Sequence, residues 1–317
     1  MSPHISMGSR QPSATGAQAK GTVSVRTERL TGSRRRGGSR FGWGLLVLPA
    51  ALFMVLFFAW PLAQMIVRGF TDPVTGLDNY VRFAQTPSGV RSLLETLGMS
   101  ALVTVICAVV GYVYAYAIRF APPRIGNLLL FAVIFPAGVN LLVRTFALQV
   151  VLRDTGIINQ LLIRVHLINE HLTLIRTEFA VALGMTCMLL PYMVLPVYSV
   201  MRGLNPEYVQ AAASLGARPM VAFFRVFLPL SLPGLYAGSL IVFVAGLGFY
   251  VVPQLLGDNA GGRFLSQYTA AYMAQAEWGY GSAIGTILLL VTLATLVGAA
   301  RLLRVGDVLR LAFGGGR

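Results

Sequence analysis

Six times along this chain, apolar residues run on for the length of a membrane crossing. A helix needs about 20 predominantly apolar residues to cross about 30 Å of hydrocarbon. The stretches 44–67, 95–118, 127–151, 178–200, 231–256 and 281–303 meet that requirement. The pattern predicts an all-α polytopic membrane protein with six transmembrane helices. Pro136, Pro191 and Pro196 fall inside predicted spans; they are tolerated there because neighbouring helices satisfy the freed backbone groups. Between the third and fourth runs, Ile157, Ile158, Leu161, Leu162 and Val165 recur at helical spacing. That segment is either a short amphipathic helix on the membrane surface or a packed loop.

Composition supports the membrane reading. Hydrophobic residues make up 56% of the 317 positions and charged residues only 11%, against about 25% charged in a soluble domain. The net charge of +14 matters through its placement. Residues 1–41 hold Arg10, Lys20, Arg26, Arg29, Arg34, Arg35, Arg36 and Arg40 against one acid, Glu28. This Ser- and Gly-rich head has too little apolar surface to fold and is expected to be disordered. It reads as a cytoplasmic retention signal and not as a nucleic-acid arm. The Arg34-Arg35-Arg36 run resembles a twin-arginine export signal, but the apolar stretch behind it is too long for a signal core. With the loops at 119–126 and 201–230 and the tail, one side of the six-span layout carries seventeen Lys/Arg; the other carries seven. The excess places both termini in the cytoplasm. The domain plan is a basic head (1–41), a six-helix transmembrane domain (42–305) and a short cytoplasmic tail (306–317).

One polar stretch, 203–230, interrupts the apolar pattern between the fourth and fifth runs. Asn205-Pro206-Glu207 is a helix start: Asn caps, Pro suits the first turn, and Glu meets the positive helix end. The helix runs through Gln210, Ala211, Ala212 and Ala213 to Leu215, and Gly216 is placed to end it in a left-handed cap. Pro219 opens a second helix through Val226, which Leu228-Pro229 is expected to close. The alanines let a partner's backbone approach, and the two helices form a stiff elbow. An ordinary interfacial loop is the other reading of these residues.

The spacing of Ala211-Ala212, Gly216 and Val226-x-Leu228-Pro229 resembles the EAA signature of bacterial ABC importer permeases. The family's leading Glu is Gln210 here, which keeps the length and hydrogen bonding but loses the charge. The similarity extends over 42–303. It includes Leu77-Asp78-Asn79-Tyr80, Asn140-Leu141-Leu142-Val143-Arg144, Leu190-Pro191-Tyr192, Gly248-Phe249-Tyr250 and Glu277-Trp278-Gly279-Tyr280-Gly281. In these stretches the chain resembles the B-subunit permeases of spermidine/putrescine uptake. The resemblance implies a type I importer fold with cytoplasmic coupling helices between spans four and five. It implies two copies of a cytoplasmic ABC ATPase, a second homologous permease subunit, and a periplasmic or lipid-anchored binding protein. It also implies a non-catalytic chain with no cofactor of its own. ATP and Mg belong to the ATPase, in keeping with the absence of a G-x-x-x-x-G-K-[ST] loop from this sequence.

Several residues are candidates for the solute path. Tyr112, Tyr116, Asn140, Phe249 and Tyr250 suit an amine through cation–π and hydrogen-bond contacts, or are packing and interfacial residues. Arg144, the one cation inside a predicted span, either faces a cavity or snorkels outward. Glu277 and Trp278 sit before the last span, where Glu277 attracts a cation or is simply a solvated loop acid. Cys107 and Cys187 lie in apolar runs without metal-ligand spacing and read as small core residues. No His, Asp or Glu sits at mid-span, which argues against a proton-coupled carrier; a stand-alone secondary carrier or channel for a small organic cation is the alternative function.

Overall fold

The computed structural model describes residues 48–166, 168, 170–257 and 264–314. The basic head, Arg263 and the side chains of the tail lie outside the described residues. The chain divides into two units between Phe53 and Met54. Of the first unit, residues 48–53 are helical and exposed; the second carries the helical bundle.

All regular structure among the described residues is helical. Five helices are long and apolar enough to cross a membrane: α1 (Leu48–Thr71), α3 (Pro87–Phe120), α7 (Glu178–Gly203), α9 (Pro219–Leu247) and the apolar part, Trp278–Arg301, of α12 (Trp278–Gly314). Between α1 and α3 lies α2 (Asp78–Gln85). After α3 come α4 (Pro123–Ala137), α5 (Leu141–Leu152) and α6 (Ile157–Arg164). The short α8 (Glu207–Ser214) joins α7 to α9, and α10 (Val251–Leu256) and α11 (Leu265–Ala274) precede α12.

The core is built from α3, α7 and α9. In a membrane, helices associate through close packing and not through hydrophobic transfer, so small residues mark the contacts. The fully buried Met193 of α7 shows how. A Cβ at Gly111 of α3 would lie 2.7 Å from the Met193 side chain, and one at Gly238 of α9 would lie 2.7 Å from its sulfur. The two glycines form the notch that this side chain fills.

The structure corrects two expectations. The third run is not one unbroken helix over 127–151: α4 and the α5–α6 segment meet at a bend of 102°. Gly138 ends α4 two residues after Pro136, and Asn140 then caps α5 by accepting from the Leu142 amide at 2.8 Å. Strong stop and start signals inside an apolar run outweigh hydropathy. The helix after Pro219 does not close at Leu228-Pro229 either; it continues through Pro229 and Pro233 to Leu247. The reason is a π turn at Phe223–Phe227, in which the Leu228 amide donates to the Phe223 carbonyl. Proline has no N–H and its ring collides with the carbonyl four residues back; the wider turn relieves both problems. The same device stands ahead of Pro61, where the Trp60 amide donates to the Val55 carbonyl. The fifth span accordingly ends at Leu247, and α10 is a separate helix.

The segment 157–165 is a helix over most of its length, pinned by a buried side chain. Asn159 donates to the Leu172 carbonyl at 2.9 Å and accepts from its amide at 3.0 Å. Ile157, Leu161 and Val165 face outward.

Candidate functional site

The chain runs back and forth, so α3 and α9 meet the 204–218 loop at one end of the bundle while α2, α10 and α11 lie at the other. At the loop end, Asn205 accepts from the Glu207 amide at 3.1 Å and donates to the Glu207 carboxylate at 2.9 Å, fixing the start of α8. The helix stops as Gly216 predicts. Gly216 adopts φ +81°, its amide donates to the Ala213 carbonyl at 2.9 Å, and the Ala217 amide donates to the Ala212 carbonyl at 3.1 Å. These paired bonds are the Schellman termination. A Cβ at Gly216 would meet nothing within 4 Å, so the backbone conformation alone calls for glycine.

The elbow exposes apolar groups. Leu215 is 89% exposed and Met220 70%, with Tyr208 and Phe224 also outward. Gln210, Ala211 and Ala213 are exposed and Ala212 is half-buried. Val226 and Leu228 are half-buried and Pro229 is exposed within α9. Gln210 borders an open cleft of about 220 Å³ with Arg119, Phe120, Tyr208 and Phe227. Arg119 closes its back by donating to the Met201 carbonyl at 3.2 Å.

Behind the elbow lies an aromatic cluster that sequence reading missed. Tyr116 of α3 packs edge-on against Phe223 and Phe227, with centroids 5.5 and 5.6 Å away, and against Phe120 at 4.5 Å. Tyr112 meets Phe223 at 6.4 Å, and its hydroxyl shares a hydrogen bond of 2.8 Å with Ser231. Tyr112 and Tyr116, read from the sequence as solute-path residues, thus join the end of α3 to the π turn of α9. The available signal was Phe223-Phe224 followed three residues later by Phe227, beside a run of tyrosines at 112, 114 and 116.

The other candidates are dispersed. Asn140 commits its side-chain oxygen to the α5 cap. Arg144 is half-buried in α5, and its Nε has no hydrogen-bond partner. Phe249 is partly buried against the core, its carbonyl accepting from Ser266 at 2.8 Å, and Tyr250 is 41% exposed beside it. At the end opposite the elbow, Glu277 accepts from Arg82 at 2.7 Å, and the guanidinium sits 4.2 Å above the Tyr280 ring. The hydrogen bond to Glu277 holds the Arg82 guanidinium above its ordinary value. Tyr272, in the same cluster, is pushed up to about 12 by its hydrogen bond to Tyr268 and then by burial, so the ring stays neutral beside the ion pair. Trp278 is half-exposed at the start of α12. No group of three or more His, Cys, Asp or Glu able to hold a metal occurs among the described residues.

Comparison with known proteins gives a consistent picture. Residues 107–304 match the family described as "Binding-protein-dependent transport system inner membrane component". The spermidine/putrescine transport system permease protein PotB of Haemophilus influenzae is 35% identical over 228 residues, covering 72% of this chain and 79% of that one. PotB of Escherichia coli is 32% identical, with 70% and 80% covered. The molybdenum transport permease ModB of Mycobacterium bovis is 27% identical over 78% of this chain and 89% of its own. Among solved structures, a bacterial ABC transporter that imports the acidic polysaccharide alginate superposes with a TM-score of 0.69 at 18% identity, over 83% of this chain and 95% of that one. That likeness concerns the fold.

Proposed function

The chain belongs to the family of binding-protein-dependent transport system inner membrane components, and on that premise we propose that its solute is a polyamine of the spermidine/putrescine class. It is a multi-pass inner-membrane permease subunit of an ABC importer, working with an ATPase and a substrate-binding protein. The observation that carries the solute class is the 35% identity to a polyamine permease across 72% of the chain.

Both termini and the elbow face the cytoplasm. Two ATPase copies bind ATP and magnesium there, and one of them grips the elbow through the exposed Leu215 and Met220. A second, homologous permease completes the path, and a periplasmic or lipid-anchored receptor delivers the solute at the other end. Closure of the ATPase pair pushes α8. The capped bend at Gly216 passes the push to the π turn, and the cluster of Tyr112, Tyr116, Phe223 and Phe227 turns α9 against α3. Gln210 keeps the reach of the glutamate it replaces, so contact with the ATPase there is a neutral hydrogen bond and not an ion pair.

The test is uptake of radiolabelled putrescine and spermidine by bacteria lacking their own polyamine importers and expressing this chain with its neighbouring ATPase, permease and receptor. Saturable, ATPase-dependent uptake competed by polyamines and not by molybdate is the expected result. Entry of molybdate or an oligosaccharide in place of either amine overturns the solute assignment. Uptake that persists without the ATPase overturns the coupled mechanism.

A further inference from the structure

We propose that α6 lies in the headgroup layer of the membrane at the end of the bundle opposite the elbow, with its outward apolar row among phospholipid chains and Arg164 at the lipid phosphate. Three different surroundings divide this helix. Ile157, Leu161 and Val165 recur every four residues, which puts them in one row, and they are 66%, 60% and 61% exposed. Gln160 and Arg164, also exposed, form a second row on one flank of the first. The rest of the circumference meets protein: Asn159 is fully buried, Ile158 packs on the core, and Leu162 and Ile163 are half-buried. A helix with one sector against protein, one open and apolar, and one open and polar suits the corner where bundle, bilayer and water meet.

The helix is held so that it cannot turn to hide the apolar row. The Asn159 side chain donates to the Leu172 and Arg153 carbonyls at 2.9 and 3.3 Å and accepts from the Leu172 amide at 3.0 Å. Its level is fixed from both sides. The Gln149 side chain of α5 donates to the Leu255 carbonyl at 3.3 Å, and the Arg176 amide donates to the Leu256 carbonyl at 2.9 Å. Both bonds end on α10, away from the elbow. Direction agrees with this placement. α4 returns along the span α3: the Tyr114 hydroxyl donates to the Leu129 carbonyl at 3.0 Å, and a Cβ at Gly126 would lie 3.0 Å from the Ile118 carbonyl. The α5–α6 segment stands at 102° to α4, so it runs across the spans and near the plane of the bilayer. Continuity and charge favour phospholipid over a protein as the occupant. Leu142, Phe146 and Val150 of α5 carry the exposed apolar surface up to α6, and an inner-membrane protein meets lipid along such a surface. Arg164 borders the row and takes part in no ion pair among the described residues. An arginine stem follows apolar surface while its guanidinium reaches the phosphate layer.

The test places a fluorescent reporter on each open sector. The assembled transporter, with Cys187→Ser as background, is reconstituted in vesicles of phosphatidylethanolamine and phosphatidylglycerol. Leu161→Cys and Gln160→Cys are each labelled with a nitrobenzoxadiazole probe; Cys107 is fully buried and stays unlabelled. A phospholipid with a nitroxide near the headgroup end of one chain should quench the probe at 161 at least about threefold more than the probe at 160, as an interfacial helix requires. Aqueous iodide should quench the two in the reverse order. Ile157→Cys, in the same row, should behave as Leu161→Cys does and replaces it if that variant fails to assemble. Adding Arg164→Gln should cut the nitroxide quenching at 161 about twofold, and Arg164→Lys should retain it, since either cation reaches the phosphate layer. Strong iodide quenching at 161 puts the row in water, and shielding from both quenchers puts a protein over it; either result overturns the proposal. Unchanged quenching with Arg164→Gln overturns the phosphate contact. The measurement does not depend on the solute, so failure of the polyamine reading leaves it standing.

Discussion

Arg82 reaches 195 positions along the chain to Glu277 and places its guanidinium over the Tyr280 ring. From the sequence alone, Glu277 reads as a loop acid near the solute's entrance. Its partner is invisible there because only the packing of α2 against α12 brings the two together. The side chains remain 50% and 40% exposed, so the pair itself is worth about 0–1 kcal/mol, and the ring contact adds roughly 0.5–1 kcal/mol. A double-mutant cycle with Arg82→Ala and Glu277→Gln, followed by unfolding in detergent, should give a coupling of about 1 kcal/mol that shrinks with added salt. Strict additivity of the two substitutions would show that the contact does nothing for stability. Arg144 presents the opposite case. The sequence picks it out as the cation within an apolar run, yet its role depends on what faces it, which sequence spacing does not encode.

At the scale of elements, local signals were legible and broken ones were not. The start of α8 at Asn205-Pro206 and its end at Gly216 are readable because each capping group bonds within a few residues of itself. The π turn of α9 is harder to see, since Pro229 ordinarily announces a helix end and the chain instead widens one turn and continues. The α4–α5 bend was likewise hidden by unbroken hydropathy, although Pro136, Gly138 and Asn140 together spell it. The elbow's rigidity is testable at Gly216. With φ at +81° and no neighbour within 4 Å, Gly216→Val acts on the backbone alone, at a cost of about 1–3 kcal/mol. That strain unwinds the Schellman bend without disturbing the buried core. Import should fall at least about tenfold, an amount about 1.4 kcal/mol can produce, while the protein stays in the membrane at native level. Native import rates in this variant would mean the bend transmits no force.

Across the whole molecule, charge is distributed unevenly between the two ends of the bundle. Among the described residues outside the bend at Arg144, the elbow end carries Arg119, Arg124, Arg202, Arg218, Arg225, Arg301, Arg304 and Arg310 with two acids, Glu207 and Asp307. The opposite end carries six arginines, at 68, 82, 91, 153, 164 and 176, with seven acids. Net charge thus favours the elbow end, but insertion follows Lys and Arg and hardly registers Asp and Glu. By that measure the described bundle leans only weakly to the elbow end, eight against six. The eight Lys/Arg of residues 1–41 add most of the excess, so the head is expected to set the orientation on which the proposed ATPase coupling depends. A single cysteine at the highly exposed Leu215 reads this out. With the head intact, Leu215→Cys in a Cys187→Ser background should resist a membrane-impermeant maleimide in intact cells and react after permeabilisation. With Arg34, Arg35, Arg36 and Arg40 changed to alanine, a fraction of molecules should react from outside, and import should fall in proportion to that fraction. Labelling of the native-head protein in sealed cells would put the elbow on the wrong side for an ATPase and overturn the coupling mechanism itself.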